Sequence, residues 1–200
     1  MRWPATTRYG LDPAPGPLAF VQDFLNSIAA GSPRRADLLA DLASAQDWLD
    51  GALGVWSGAR ALPVDHVALG DADLGRLRNL RAELVDLVRG GKGDAVGDRP
   101  GMRVVQVPVA LQVDGAGMVS SVPVGTGWRY VASVLLMEMQ DAQRTDGWRR
   151  LKTCANHRCS AAFYDRSRNN SGVWHDGAVC GNAANLRAHR ARRLAEGDAP

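Results

Sequence analysis

The chain has 200 residues, 46% of them hydrophobic, and a formal net charge of +3. This length and this apolar share are enough to bury a core, which excludes an intrinsically disordered chain. No stretch approaches the roughly 20 consecutive apolar residues that a membrane-spanning helix needs, and the first residues, MRWPATTRYGLDPAPGPL, do not resemble a signal peptide. We therefore expect a cytoplasmic protein without a membrane partner.

Charge is unevenly distributed along the chain. Residues 1–148 carry 14 basic and 17 acidic groups, which gives −3, whereas residues 149–200 carry 10 basic and 4 acidic groups, which gives +6. All three cysteines lie in the second segment, and an odd number of cysteines cannot form a closed disulfide framework. We predict two units, a domain of residues 1–148 and a basic module of residues 149–200 with free thiols.

Three segments of the first unit place apolar residues at three- and four-residue spacing, which predicts three amphipathic helices. The segments are residues 18–30, 33–49 and 71–90. Ser32 and Pro33 are typical of the cap and the first position of a helix, so the second helix should begin there. The third helix should begin at Asp71 or Asp73 and end at Gly90.

The region after the third helix is rich in glycine and then in valine. The stretch GGKGDAVGDRPG, residues 90–101, predicts a surface loop, since it lacks the preceding strand and the Gly-Lys-Ser/Thr of a phosphate-binding loop. The Val-rich segments 103–113 and 117–124 predict a β-hairpin around a short Gly-containing turn. Pro108 and Pro123 cannot donate to a strand ladder, which predicts either edge strands or breaks in the strands.

A fourth helix is predicted for residues 128–144. Its apolar side chains cover most of the circumference, which places it either at the centre of the core or in a contact between two copies. The pattern as a whole predicts an α+β fold: a mainly α-helical N-terminal domain with one β-hairpin, followed by a small C-terminal module.

Three cysteines and one histidine of that module form two matched pairs. Cys154 and Cys159 are separated by four residues, and so are His175 and Cys180. Proteins bind zinc through two such short-range pairs that the intervening chain brings together, so we predict one structural zinc ion held by these four residues. The alternative is three small buried residues of a core, but no cysteine occurs elsewhere in the chain.

Two other histidines compete for the fourth ligand position. His157 lies between the first two cysteines, where a further ligand would crowd one turn and leave Cys180 without a partner. His189 lies on the following helix, so His175 remains the predicted ligand. Four protein ligands fill a tetrahedron, whereas a catalytic zinc keeps one position open. The segment also lacks the motifs of zinc deaminases and metalloproteases.

The sequence GNAANLRAHRARRLAE after Cys180 predicts a basic helix capped by Asn182. A helix that zinc holds at its start presents its arginines to nucleic-acid phosphates or to a major groove. The alternative is a solvated terminal helix whose arginines complement the helix dipole.

The C-terminal module resembles the CGNR zinc finger, which is named after a Cys-Gly-Asn-Arg motif. The residues that carry the resemblance are Cys154, Cys159, Phe163, Asp165, Ser167, Trp174, His175, Cys180, Gly181 and Asn182. The N-terminal part is similar to the ABATE domain that usually precedes this finger: FVQDFLNS resembles its Phe-Val-Asn-Thr opening, and LRNLRAEL resembles its Leu-Arg-x-x-Leu helix. The resemblance implies a stress-responsive bacterial transcriptional regulator with a treble-clef-like zinc finger that binds DNA.

Two features depart from the family pattern. His175 stands where the family usually has a cysteine after the tryptophan, and histidine still binds zinc, at about 2.0–2.1 Å. Ala183 replaces the arginine that ends the motif, and Gly172-Val173 replaces the basic pair before the tryptophan. The resemblance therefore implies an intact finger with fewer phosphate contacts.

We interpret the chain first as a zinc-containing transcriptional regulator whose helical domain senses an effector or forms a homodimer while the finger contacts DNA. The predicted phosphate contacts are Arg166, Arg168, Arg187, Arg190 and Arg193. A second interpretation is a zinc-stapled oligomerisation, protein-interaction or sensor protein that does not bind DNA. We do not expect an enzyme, since no catalytic constellation stands out in the sequence.

Overall fold

The computed structural model describes residues 2–31, 33–90, 105–156 and 158–197, apart from the side chains of residues 188–191 and 194–197. The fold is α+β, as predicted, with five α-helices and two separate two-stranded sheets in the part described. In chain order the elements are α1 (Leu18–Leu25), α2 (Leu42–Arg60), α3 (Asp71–Gly90), β1 (Val109–Val113), β2 (Val119–Pro123), α4 (Gly127–Arg144), β3 (Leu151–Thr153), β4 (Ala162–Tyr164) and α5 (Asn182–Gly197). None of these helices combines the length and the apolar character that a membrane crossing requires.

Helix α1 lies in the main core, and all eight of its residues are buried. Because such a helix has no solvent face, even its polar positions lie inside the protein. Phe20 packs against Trp48 and Trp56 of α2 with ring-centroid distances of 6.2 and 6.3 Å, which is the usual range for aromatic pairs. These rings form the middle of the core.

The predicted start of α2 at residues 32–33 is wrong, and Ser32 itself lies outside the described residues. The helix begins at Leu42 instead, where the carboxylate of Asp41 accepts a hydrogen bond from the Ser44 amide at 2.8 Å. This is an N-cap of the ordinary kind. The helix then continues to Arg60, well beyond the predicted end at residue 49.

Two arginines of α3 hold the segment that precedes α2. Arg81 is buried and donates through both Nη atoms to the carboxylate oxygens of Asp37, at 2.8 and 2.6 Å. Arg78 donates from Nε to the carbonyl oxygen of Leu39 at 2.7 Å. These contacts with α3 hold the backbone around residues 37–39 in a non-helical conformation. The tertiary structure therefore overrides the helix-start pattern at residues 32–33.

Helices α3 and α4 agree with the sequence prediction. Helix α4 begins one residue before the predicted start, and Val131, Leu135 and Met139 are buried in the main core. The first alternative for this helix, a place at the centre of the core, is therefore correct. The Gly-rich loop prediction falls largely on residues 91–104, which lie outside the described residues.

The predicted β-hairpin is present, with shorter strands. Strands β1 and β2 pair antiparallel, with Val109 opposite Pro123 and Val113 opposite Val119. The base of the hairpin is tied to α4, because the Ser133 hydroxyl donates to the Pro108 carbonyl at 2.7 Å. Both strands are edge strands of this two-stranded sheet, and the prolines lie at strand ends, since Pro108 precedes β1 and Pro123 ends β2.

A second hairpin, formed by β3 and β4, attaches the C-terminal module to the helical body. Asn26, which follows α1, donates from Nδ2 to the Ala162 carbonyl at 2.9 Å and accepts from the Ala162 amide at 2.8 Å. Leu151 and Ala162 are buried members of the main core. The body therefore fixes the strand that leads away from the cysteine-rich turn.

Candidate metal centre

The four predicted ligands come from two ends of the C-terminal module. Cys154 follows β3 and Cys159 lies in the turn that leads to β4, whereas His175 and Cys180 precede α5. Three Sγ atoms and one ring nitrogen of these residues lie within 4.8 Å of one another. The cysteines are buried and the histidine is half-buried. The structure thus brings together all four residues that the spacing predicted.

Backbone hydrogen bonds shape the turn that carries the first pair. The Cys154 amide donates to the Ala161 carbonyl at 2.8 Å, and the Cys159 amide donates to the Asn156 carbonyl at 2.7 Å. Ser160 then adopts a left-handed conformation with φ of 58°. This tight reversal places both sulfurs on the same side of the turn.

A capped turn positions the second pair. The Asp176 carboxylate accepts from the Val179 amide at 2.9 Å, and its carbonyl accepts from the Cys180 amide at 2.9 Å, which starts a π-helical turn at Gly177–Gly181. The prediction that Asn182 caps the helix is therefore wrong. Asn182 already has helical backbone angles, φ −60° and ψ −42°, and α5 continues directly from the turn.

The side chains of the cluster face one another. Nδ1 of His175 lies 3.3 Å from Sγ of Cys159 and 3.6 Å from Sγ of Cys180. A hydrogen bond with the Cys159 thiol lowers the pKa of Cys154 well below its usual value, while the same contact, together with burial, raises the pKa of Cys159. Burial also raises the pKa of Cys180. Neighbouring thiolates repel one another, and a divalent cation among them removes that repulsion.

This donor set fits zinc. Three thiolates and one neutral imidazole are ligands of tetrahedral structural zinc sites, which leave no open position for a substrate. When bound, the ion would offset two of the three thiolate charges and would cross-link the β3–β4 turn to the start of α5. His157, the rival ligand, and the side chain of His189 lie outside the described residues.

Among the described residues, a small apolar shell surrounds the sulfurs. Ala161 is buried with the three cysteines, and Tyr9, Leu11 and Trp174 pack against them. Gly181 lies against the indole of Trp174, since a Cβ at this position would come within 3.1 Å of the Trp174 Cδ1 atom. A glycine here allows the close approach of α5 to the indole ring. The metal therefore has to supply much of the cohesion of this module.

A buried ion pair organises the loop that follows β4, and the sequence analysis missed it. Nζ of Lys152 donates to Oδ2 of Asp165 and to the Asn170 carbonyl, both at 2.6 Å. Although burial raises the pKa of Asp165, the Lys152 ammonium and hydrogen bonds from Ser167 and Gly172 hold it well below its usual range. The only trace in the sequence is that Lys152 is one of two lysines in the chain.

Two of the five predicted phosphate contacts bind other parts of the protein. Arg166 is exposed, but it donates to the Pro13 carbonyl at 2.8 Å and so ties the module to the N-terminal segment. Arg187 is half-buried and donates to Oδ1 of Asn156 at 2.8 Å. Arg187 therefore joins α5 to the turn that carries the first two cysteines.

The other three predicted contacts lie at the outer surface or outside the described side chains. Arg168 is exposed in the loop after β4, and Arg193 is exposed on α5. The side chain of Arg190 lies outside the described residues, although its backbone belongs to α5. Arg192, which the sequence analysis did not select, is exposed as well.

Comparison with protein families agrees with this geometry. Residues 150–193 match the CGNR zinc finger, and residues 18–119 match the ABATE family, described as "Putative stress-induced transcription regulator". The second match covers 102 of the 200 residues. The chain belongs to the ABATE family. A search of curated proteins finds no relative that matches it. The finger match and the four-ligand cluster together assign one structural zinc ion to the chain.

The FVQDFLNS segment of the ABATE region contacts both the finger and the aromatic core. Gln22 and Asn26 both donate from their side-chain amides to the Ala162 carbonyl, at 3.3 and 2.9 Å. Asp23, between them, is fully buried and accepts from the indole Nε1 of Trp48 at 2.9 Å. This ABATE segment therefore connects the aromatic core to the hairpin of the finger.

Proposed function

We propose that this ABATE family member is a zinc-dependent transcription regulator that binds DNA through its C-terminal finger. The observation that carries the proposal is the position of α5, which starts at the metal-binding turn and exposes Arg192 and Arg193. Residues 149–200 carry 10 basic and 4 acidic groups, a net charge of +6. A helix that a metal site fixes at its start can enter a groove or lie along the phosphates.

One face of α5 suits such a contact. Leu186 and Arg193 are seven residues apart, so they share a face of the helix. Leu186 is 51% exposed, so its side chain is accessible to an apolar group such as a thymine methyl. Arg168 adds a further exposed cation from the neighbouring loop.

We expect these contacts to be mainly to phosphates. Arg166 and Arg187 already donate to groups of the protein, and Ala183 offers no polar side chain. Phosphate contacts position a protein on DNA, whereas base contacts specify the sequence. Affinity should therefore depend steeply on salt and weakly on sequence.

Fluorescence anisotropy with a labelled duplex of random sequence tests this proposal. Replacing Arg168 and Arg193 together by glutamine should lower the slope of log affinity against log salt by about 1.8, at about 0.9 for each phosphate contact. Arg2→Gln with Arg144→Gln, two exposed positions of the helical body, should leave the slope unchanged. A wild-type protein that binds no duplex at low salt would refute the proposal, and so would a double variant with the wild-type slope.

We also infer that the protein forms a homodimer, and that the contact lies on the β1–β2 hairpin of the N-terminal domain. Leu111, Val113 and Val119 are 73%, 68% and 64% exposed and share one face of this hairpin. Exposed apolar groups gathered in this way mark an interaction surface more often than isolated ones do.

Charge favours a second copy of the same hairpin as the partner. Asp114 is the only charged residue in the stretch 105–124, and its Oδ1 atom accepts from the amides of Ala116 and Met118 within the turn, both at 2.9 Å. Two copies can therefore place their apolar faces together around a two-fold axis without repulsion.

Sedimentation of the wild type and two neighbouring variants tests this contact. Leu111→Lys places a charge in the apolar face and should convert the dimer to a monomer. Gln112→Lys places the same charge on the opposite face of the same strand and should leave the dimer intact. The wild type should be examined at a protein concentration about 100 times a dissociation constant of about 1 μM. A wild type that is still monomeric there, or a Leu111→Lys variant that is still dimeric, would exclude this surface.

A further inference from the structure

A pocket of about 290 Å³ lies beside the metal centre, where the N-terminal segment meets the finger. Its walls include Arg8, Tyr9, Gly31, Arg35 and His175. None of the described residues that line the pocket carries a carboxylate. Two guanidinium groups therefore face a concave surface that supplies no negative charge of its own.

The charge of Arg8 is held in place without being neutralised. Nη1 donates to the Ala36 carbonyl at 2.9 Å, and Nη2 donates to the Asn26 carbonyl at 3.2 Å and to the Tyr9 hydroxyl at 3.1 Å. Its buried Nε has no acceptor among the described residues. All of these acceptors are neutral, so the guanidinium keeps its full positive charge beside the pocket.

Arg35 and His175 supply groups that an incoming ligand can reach. Arg35 is exposed, and its guanidinium makes no hydrogen bond or ion pair with the rest of the described chain. His175 turns Nδ1 towards the sulfurs, so with this atom on the metal the ring proton resides on Nε2. A cysteine ligand has no second polar atom, whereas this histidine can both bind the metal and donate to the pocket.

We propose that this pocket binds a phosphate group through Arg8, Arg35 and the Nε2–H of His175. Guanidinium and imidazole N–H groups are the usual donors to phosphate oxygens, and such charge-assisted hydrogen bonds are stronger than neutral ones. The volume exceeds that of a phosphate alone, which leaves room for the sugar of a DNA backbone or for the body of a small phosphorylated molecule.

Calorimetric titration of the zinc-loaded full chain with inorganic phosphate, against chloride at equal ionic strength, tests the site. The wild type should bind phosphate saturably. Arg35→Gln should weaken binding at least fivefold, and so should His175→Cys, which keeps a fourth metal ligand and should still hold one zinc ion per chain. Arg34→Gln, an exposed neighbour that does not line the pocket, should change binding less than twofold. No saturable binding by the wild type, or equal losses in Arg34→Gln and Arg35→Gln, would overturn the proposal.

Duplex DNA distinguishes the two sources of the phosphate. If the pocket takes a backbone phosphate, Arg35→Gln should lower the salt slope of DNA binding by about 0.9 and free phosphate should compete with DNA. If it takes a small phosphorylated molecule, Arg35→Gln should lose phosphate binding while its DNA affinity stays at the wild-type value. Saturable phosphate binding by a protein that binds no duplex would refute the proposed DNA-binding function and leave this site intact.

Discussion

In the helical body, Phe20 packs between Trp48 and Trp56 at ring-centroid distances close to 6 Å. In the C-terminal module, the buried cluster consists of three cysteines and Ala161. Burial of large aromatic side chains contributes several kcal/mol each, whereas a module with so small an apolar cluster gains little in this way. The body should therefore be stable without a metal, and the module should depend on one.

Polar groups are also used differently in the two regions. Asp23 of the body accepts hydrogen bonds from the Thr6 amide and the Trp48 indole and has no cationic partner among the described residues. Asp165 of the module pairs with the Lys152 ammonium. A buried pair must be completed by both partners, so Asp165 depends on one specific cation, whereas Asp23 depends on neutral donors.

Loss of the metal should produce the largest difference between the two regions. Cys180→Ser removes one ligand, and structural zinc contributes on the order of 10 kcal/mol or more to the folding of zinc fingers. We expect the variant to lose zinc in elemental analysis and to show rapid amide exchange in the two turns that carry the ligands, residues 154–160 and 175–181, with slow exchange kept in α1 and α4. Val179→Ser, at an exposed neighbour, should keep the metal. A Cys180→Ser variant that still holds one zinc ion per chain would contradict the claim that Cys180 is a ligand on which the module depends.

A substitution in the aromatic core should destabilise both regions together. Trp48→Ala leaves a cavity beside Phe20 and removes the indole donor to Asp23, and we expect a loss of about 3–5 kcal/mol in the free energy of unfolding. Denaturant titration followed by circular dichroism measures this loss, and Trp48→Phe should cost less because it keeps a ring. A loss below about 1 kcal/mol would contradict the central place of this tryptophan.

The link between the regions should have a smaller effect. Asn26→Ala leaves the buried amide of Ala162 without its acceptor and leaves the Ala162 carbonyl with only the longer hydrogen bond from Gln22, and we expect a cost of about 1–3 kcal/mol. Exchange protection of β4 should fall more than that of α4. Asn79→Ala, at an exposed site on α3, should change stability by less than about 0.5 kcal/mol. Equal effects of the two substitutions would argue against the coupling.

The pKa values of two buried carboxylates, Asp23 and Asp165, should be shifted in opposite directions. Burial raises the pKa of Asp23, whereas hydrogen bonds from Lys152, Ser167 and Gly172 outweigh burial and lower the pKa of Asp165. The contribution of Asp165 to stability is therefore complete above its unfolded pKa of about 3.9 and is lost as the pH falls below that value. The contribution of Asp23 has the opposite dependence, because it is complete below about 3.9 and is lost as the pH rises above it.

Carboxyl ¹³C chemical shifts, recorded against pH, report both groups. Lys152→Met should bring the pKa of Asp165 upward and leave that of Asp23 unchanged. If the pKa values of Asp23 and Asp165 in the wild type were both raised or both lowered, this difference between the two regions would be contradicted.

The parts of the structure that local sequence determines were predictable. Helices α3 and α4 follow from periodicity, and the metal ligands follow from two pairs, each of which closes within one turn. The start of α2 was not predictable in this way, because the Arg81–Asp37 contact overrides the pattern at residues 32–33. The cap at Asp176 in place of Asn182 depends on a π-helical turn that simple spacing does not indicate.

The predicted DNA contacts show the same limit. The sequence pattern of a basic segment predicts that its arginines are exposed surface charges. It does not indicate that Arg187 donates to Asn156 or that Arg166 donates to Pro13. The Lys152–Asp165 pair likewise joins positions 13 residues apart. Such contacts follow from the folded arrangement of the chain and leave little trace in a single sequence.

X-ray absorption at the zinc edge tests the metal centre most directly. The ligand set of Cys154, Cys159, His175 and Cys180 predicts three sulfur atoms at about 2.3 Å and one nitrogen at about 2.0–2.1 Å. His175→Cys should convert this spectrum to one of four sulfur atoms. A wild-type spectrum with fewer than three sulfurs, or a nitrogen that persists in the His175→Cys variant, would contradict this centre.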